Sequence, residues 1–446
     1  MRQIFRTYLL LLCAACLSGA GAPLWCCAQE AAPATTAPAA ETAVAAPVDF
    51  ANKQWTEIRD YTEPVRAEVT RNTTMFSRVA KEARFGSPDE ENTARNYFRF
   101  RAAEFTWPEK VKELPKKRRD IALDLRKAYG AHADDRTIHM WLNNEIFNNF
   151  KAIASGEAYH PAARYNAMLV IGELNQIEPD IGGRGAVPWS KTLEFLIPTI
   201  NDEKQLDAVR VAAIDGLVRH AELSTGADVR RQLATLFTNI AKTKKPSGAM
   251  QPATLAWLRR RSVVGLAAMA VRGAAEANKP DCVSAVRDVL EDESLSVLAR
   301  SDAALALGAF DKSAIGATRV MADCDALARL VIAAGTFDPA ALSAGQVNPE
   351  WLGYYFMCVS WGLRGYAIGE QNKLVVDPNR GVTAAAAAKD AKDATARLLA
   401  RVDGMIKVCM NKTFKPEELA TLVSDLAKSM KVAGEPVAVG GGAAGS

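Results

Sequence analysis

The chain is expected to be all-α: an α-solenoid of stacked helical hairpins with helical caps at both ends. Three observations predict this. A twelve-residue pattern occurs four times, the arginines that mark its copies lie 46, 49 and 41 residues apart, and no strand-period alternation of useful length interrupts the region between them. That spacing is what two antiparallel helices and their turns occupy, and recurrence at a fixed period signals stacking of one structural unit.

Residues 299–310, ARSDAALALGAF, carry the pattern most fully: an apolar residue, Arg300, small residues four and five positions on, then Leu307-Gly308. The slim side chains share one helix face, where a neighbouring backbone can approach closely. Residues 163–174 (ARYNAMLVIGEL) repeat it with Ala163-Arg164, Ala167 and Ile171-Gly172. Residues 258–269 (LRRRSVVGLAAM) keep Leu258-Arg259, Ser262-Val263 and Leu266-Ala267. Residues 209–220 (VRVAAIDGLVRH) keep Val209-Arg210, Ala213 and Leu217 but place Val218 where the other copies have a small residue.

On these residues the chain resembles the HEAT-repeat family of armadillo-like helical proteins, in degenerate copies. The resemblance covers about residues 137–310 and extends by one further hairpin to 368. It implies that Arg164, Arg210, Arg259 and Arg300 join a polar ladder between repeats.

Taken in order, residues 1–28 read as a secretory signal peptide. Arg2 and Arg6 precede an apolar run over 8–16, and small residues lead to a cut after Ala28. The apolar run is too short to span a bilayer, so membrane attachment would require a lipid on Cys16. The expected location is exported, periplasmic or extracellular. Losing the two leader arginines takes the formal charge from +4 to +2. A nearly neutral mature chain lacks the cationic footprint of a nucleic-acid partner. Cys282, Cys324, Cys358 and Cys409 remain. A bridge such as Cys282 to Cys324 would suit an oxidising compartment, but buried free thiols acting as small hydrophobes are the favoured reading.

Residues 29–49, rich in Ala, Pro and Thr, bury too little apolar surface to order and read as a flexible linker. Residues 50–135 form a helical cap. Trp55, Ile58 and Tyr61 fall at helical spacing, Ser87-Pro88 with Glu90 starts a helix that carries Tyr97, Phe98 and Phe100, and a helix over 115–129 closes at Gly130. Lys112, Lys116, Lys117, Arg118 and Arg119 make the one conspicuous charge run. Interleaved Glu109, Glu113, Asp120 and Asp124 make it a solvated helix face first, and an anion-facing patch for lipid headgroups, acidic polysaccharide or acidic protein second.

The array, 136–368, is expected to pair helices 137–152 with 161–174, 188–200 with 206–221, 227–243 with 252–271, and a helix capped by Asn278 with 299–310. A fifth pair covers 317–334 and 349–368. The aromatics of the last helix, Trp351, Tyr354, Tyr355, Phe356, Trp361 and Tyr366, surround it almost completely and are expected to be buried. Residues 369–382 read as a loop opening a C-terminal helical segment, 369–433, and 434–446 as a disordered tail.

Catalytic signatures are missing. His132, His139, His160 and His220 stand in no metal-ligand spacing, and Gly182-Gly183-Arg184-Gly185 follows no strand pattern. No catalytic residue, metal or cofactor is expected. The composite expectation is a secreted or envelope scaffold that binds a protein or peptide along the concave surface formed by the second helices, without catalysis. The alternative is a helical-toroid enzyme acting on a glycan or isoprenoid.

Overall fold

The computed structural model describes residues 54–59, 78–79, 82, 84–130, 136–179, 185–224, 226–337, 348–369, 373–411 and 413–431. The leader with Cys16 and Ala28, the linker, the tail, Tyr61, His132 and residues 182–184 lie outside the described residues. The fold is predominantly helical and divides into two compact units, residues 1–224 with 245–254, and residues 225–244 with 255–446.

In the first unit, α1 (Pro88–Ala103) begins as the sequence predicts. Ser87 Oγ accepts from the Glu90 amide at 3.4 Å, and the Glu90 carboxylate accepts from the Gly86 amide at 2.6 Å. Two 3-10 turns, Glu104–Thr106 and Pro108–Glu113, lead into α2 (Leu114–Gly130). Residues 54–59 are not helical, contrary to the spacing of Trp55 and Ile58. They run as a strap whose Thr56 and Ile58 amides donate to Ala158 O and Thr106 Oγ1, while Trp107 Nε1 donates to Ile58 O. Long-range bonds override a three-residue periodicity.

Helices α3 (Thr137–Ser155) and α4 (Pro161–Glu173) form an antiparallel pair, with His160 Nδ1 accepting from the Ala162 amide as the cap of α4. A short antiparallel ribbon then joins β1 (Asn175–Ile177) to β2 (Val187–Pro188). Pro188 therefore does not start a helix: it pairs with Asn175, and α5 (Leu193–Asn201) begins after a 3-10 turn at Ser190–Thr192. Helix α6 (Asp207–Leu223) crosses α4 where Gly172 meets Gly216, and a Cβ on Gly172 would stand 2.9 Å from Gly216 Cα.

His220 on α6 is buried and uses both ring nitrogens while neutral. Thr192 Oγ1 donates to Trp189 O, so it accepts from His220 Nε2 at 2.9 Å, and Nδ1 faces Ser224 Oγ. Burial, then the charge of Arg219, pushes its pKa down to about 3. The unfolded chain takes up this proton first as pH falls below about 6.5, so stability present at neutral pH is lost on acidification, by about 2 kcal/mol at pH 5. The unfolding free energy from urea denaturation should fall less between pH 7 and pH 5 in His220→Gln, by about that amount. An equal fall would place the acid sensitivity elsewhere.

The second unit contains α7 (Ala227–Lys242), the body of α8 (Pro252–Val271), α9 (Pro280–Leu290), α10 (Val297–Leu307), the short α11 (Lys312–Ile315), α12 (Val320–Gly335) and α13 (Pro349–Arg364). It ends with α14 (Gly381–Ala385), α15 (Lys389–Cys409) and α16 (Pro416–Lys431). Lys279, not Asn278, caps α9: the Asn278 amide instead donates to Ala270 O and Ala274 O, and its oxygen accepts from the Asp311 amide. The expected loop over 369–382 contains half of a ribbon, β3 (Tyr366–Ile368) paired with β4 (Leu374–Val376). Its register is held by main-chain bonds that period-based reading over three residues does not register.

Candidate interaction face

The four marker arginines occupy equivalent positions. Arg164, Arg259 and Arg300 each donate from Nε to a carbonyl at the end of the preceding helix: Ala154 O at 3.1 Å, Ala241 O at 3.0 Å and Leu290 O at 2.9 Å. Arg210 does the same from Nη2 to Asp202 O. All four are buried, and a cation there neutralises the negative end of the helix dipole while satisfying orphan carbonyls. Two of them also reach a loop further along the chain, Arg164 to Gln205 Oε1 just before α6 and Arg259 to Asp292 Oδ2 just before α10.

Gly172 and Gly308 both sit at close approaches. Gly308 leaves room for Trp361 O, and Gly362 reciprocally leaves room for Ala304 O, at the crossing of α10 and α13. Gly216, the partner of Gly172, falls outside the sequence pattern because it lies two residues before Val218, the position that matches Gly172.

The charge run does not form one surface. Lys112, Lys116 and Arg119 are exposed, but Lys117 and Arg118 are buried. Lys117 donates to Glu104 Oε1 at 2.6 Å, and Arg118 Nε stands 3.2 Å from Glu173. Counting charges gave their sign and not their rotation about α2.

The four cysteines are free and buried. Burial pushes Cys324 and Cys409 up to about 12 and raises Cys282 and Cys358 as well. None is a ready thiolate at neutral pH. Among the described residues no cluster of three or more His, Cys, Asp or Glu side chains could hold a metal ion, and no helix is long and apolar enough to cross a membrane.

The constellation with the most chemistry lies in the second unit, on α8, α10 and α13, which are second helices of the expected hairpins. Asp302 on α10 is buried and accepts twice: from Arg260 Nε of α8 at 2.6 Å and from Tyr354 Oη of α13 at 2.8 Å. The Arg260 guanidinium lies over the Trp257 ring, 5.1 Å from its centroid. Tyr354 meets Trp351 edge-on at 5.9 Å and Tyr355 at 6.0 Å. Burial, with Cys358 and Asp302 alongside, holds the Tyr354 phenol well above its ordinary pKa, so it stays a hydrogen-bond donor.

The aromatic helix is therefore not wholly buried: Trp351 is 50% exposed at one end of this chain of contacts, and Trp257 is 38% exposed at the other. The sequence shows Trp351, Tyr354 and Tyr355 as a stripe at helical spacing, whereas no local pattern marks Trp257, Arg260 and Asp302. The available signal was the separation of Arg260 and Asp302 by 42 residues, close to the spacing of the markers Arg259 and Arg300 beside them. No protein-family model matches the chain, and neither curated proteins nor solved structures give a significant match.

Proposed function

We propose that the chain is an exported, HEAT-like helical-repeat scaffold that binds a protein partner, without catalysis, on the face presented by α8, α10 and α13. The observation that carries this is the Trp257–Arg260–Asp302–Tyr354–Trp351 chain of contacts. Trp, Tyr and Arg are the residues that concentrate binding energy at protein interfaces, and here a buried carboxylate fixes two of them before any partner arrives.

The solenoid reading is supported by the reach of the polar contacts. Arg164 to Gln205, Arg219 to Gly172 O, Thr254 to Asp207, Arg230 to Glu276 and Arg260 to Asp302 join residues 41, 47, 47, 46 and 42 positions apart. Within each unit these contacts tie a helix to one about one hairpin further along the chain, as in a repeat array where stability is a sum of nearest-neighbour terms.

Crosslinking and affinity capture with the full-length chain should recover a saturable protein partner. The double variant Trp257→Ala/Trp351→Ala should lose it while keeping the wild-type unfolding transition, because both indoles are substantially exposed. Equal capture by both proteins would remove this face from the proposal, and no saturable partner for the wild type would remove the scaffold reading itself.

A further inference from the structure

We infer that the partner presents a carboxylate flanked by an aromatic or proline residue, and that Arg260 reads it. This rests on the scaffold reading above and adds the chemistry of the ligand. Arg260 Nε is committed to Asp302 at 2.6 Å, and the guanidinium face is committed to Trp257. These two contacts fix the plane of the group. Among the described residues no acceptor is hydrogen-bonded to Arg260 Nη1 or Nη2, and about a fifth of the side chain, 21%, is open to solvent. The side chain therefore offers the edge of its fork outward, the geometry that takes both oxygens of one carboxylate.

Pre-orientation matters energetically. An unrestrained arginine loses much of its rotamer freedom on binding, whereas Arg260 has already been ordered by folding. Asp302 does not compete for the outer edge, because Arg260 Nε and Tyr354 Oη occupy its two oxygens in the interior. Exposed aromatic surface lies at both ends of this chain of contacts: Trp257 under the guanidinium, and Trp351 where it meets Tyr354 and Tyr355.

A peptide suits this better than a sugar. A glycan brings many hydroxyls that each need a partner, and here the Tyr354 hydroxyl and the Asp302 carboxylate are already engaged with each other. What remains is one cationic fork stacked on an exposed indole, which matches an acidic residue with an aromatic or proline neighbour.

The test selects a phage-displayed library of random 12-residue peptides on the full-length chain, then measures one enriched peptide and its Asp→Asn or Glu→Gln counterpart by fluorescence anisotropy. The enriched sequences are expected to share an acid beside an aromatic or proline, and neutralising that acid should weaken binding at least about tenfold. Arg260→Gln should bind the two peptides equally, and Arg260→Lys, which keeps the charge near Asp302 without the fork, should lose most of the discrimination. Trp257→Ala should weaken both peptides alike. Thermal melts confirm that each variant is folded.

An acid-free consensus, no enrichment at all, or full discrimination retained by Arg260→Gln would overturn the inference. So would saturable binding of polygalacturonate that Arg260→Gln abolishes, since the occupant would then be an acidic glycan. Capture of a protein partner that needs Trp257 and Trp351 but is indifferent to Arg260→Gln would sink the carboxylate inference and leave the scaffold reading standing.

Discussion

Asp323→Ala is expected to destabilise the second unit by about 3–5 kcal/mol, the cost of leaving a buried charge without its partner. Asp323 lies fully buried in the first turn of α12, where the helix dipole favours an anion. Arg287 of α9 grips it with two parallel bonds, Nε to Oδ1 at 2.6 Å and Nη2 to Oδ2 at 2.7 Å, and Nη2 also donates to Ile315 O at 2.8 Å. Removing the carboxylate strands the guanidinium with only 9% of its side chain open to solvent. The pair need not be net stabilising for this to hold, because both charges were desolvated on folding. Arg287→Met with Asp323→Leu should therefore recover most of the loss. Urea denaturation of the two singles and the double would measure it. A cost under about 1 kcal/mol for Asp323→Ala would mean that water reaches the pair.

Helices were legible wherever apolar period and punctuation agreed. Pro161 opens α4, Pro349 opens α13 and Pro416 opens α16, while the Asn348 cap on α13, its side chain accepting from the Glu350 amide, adds to what the proline marks. Failures occurred where a partner distant in sequence decided the outcome. Pro188 has a helix-starting context locally, but its main chain pairs with Asn175. Trp55 and Ile58 fit a helix, but their segment is tied to residues 106, 107 and 158.

Site residues divide along the same line. The marker arginines were found because their role recurs: each satisfies carbonyls at the end of the helix before it, and a recurrent role leaves a recurrent letter. Arg260 is one residue away from a marker and was hidden by it, since helical rotation of about 100° per residue turns one neighbour inward and the other outward. Arg259 is 2% exposed, whereas Arg260 stays partly open. Lys117 and Arg118 show the converse, lying in the most conspicuous basic run yet turned into the interior. The aromatic stripe of α13 gave composition without saying that Trp351 lies half outside, because that depends on where the neighbouring helices stop.

Gly362→Val should cost about 3 kcal/mol, the upper range for overpacking a site that cannot relax through a side-chain rotation. A Cβ at Gly362 would overlap the Ala304 carbonyl oxygen, and one at Gly308 would overlap the Trp361 carbonyl oxygen, so α10 and α13 touch main chain to main chain at two reciprocal points. The obstacle is backbone in both cases, and only separating the helices removes it. Separation would also lengthen the Tyr354–Asp302 bond that ties the same helices, coupling this contact to the aromatic face. Gly404 of α15 is the matching control, because a Cβ there meets only Leu422 Cδ1 at 4.0 Å. Gly404→Ala should be neutral or stabilising by up to about 1 kcal/mol through helix propensity. The denaturation midpoint should therefore fall for Gly362→Val and hold or rise for Gly404→Ala, and tryptophan emission should change only in the first. If Gly362→Val unfolds at the wild-type midpoint, α10 and α13 do not approach as closely as the placement of Gly308 and Gly362 requires.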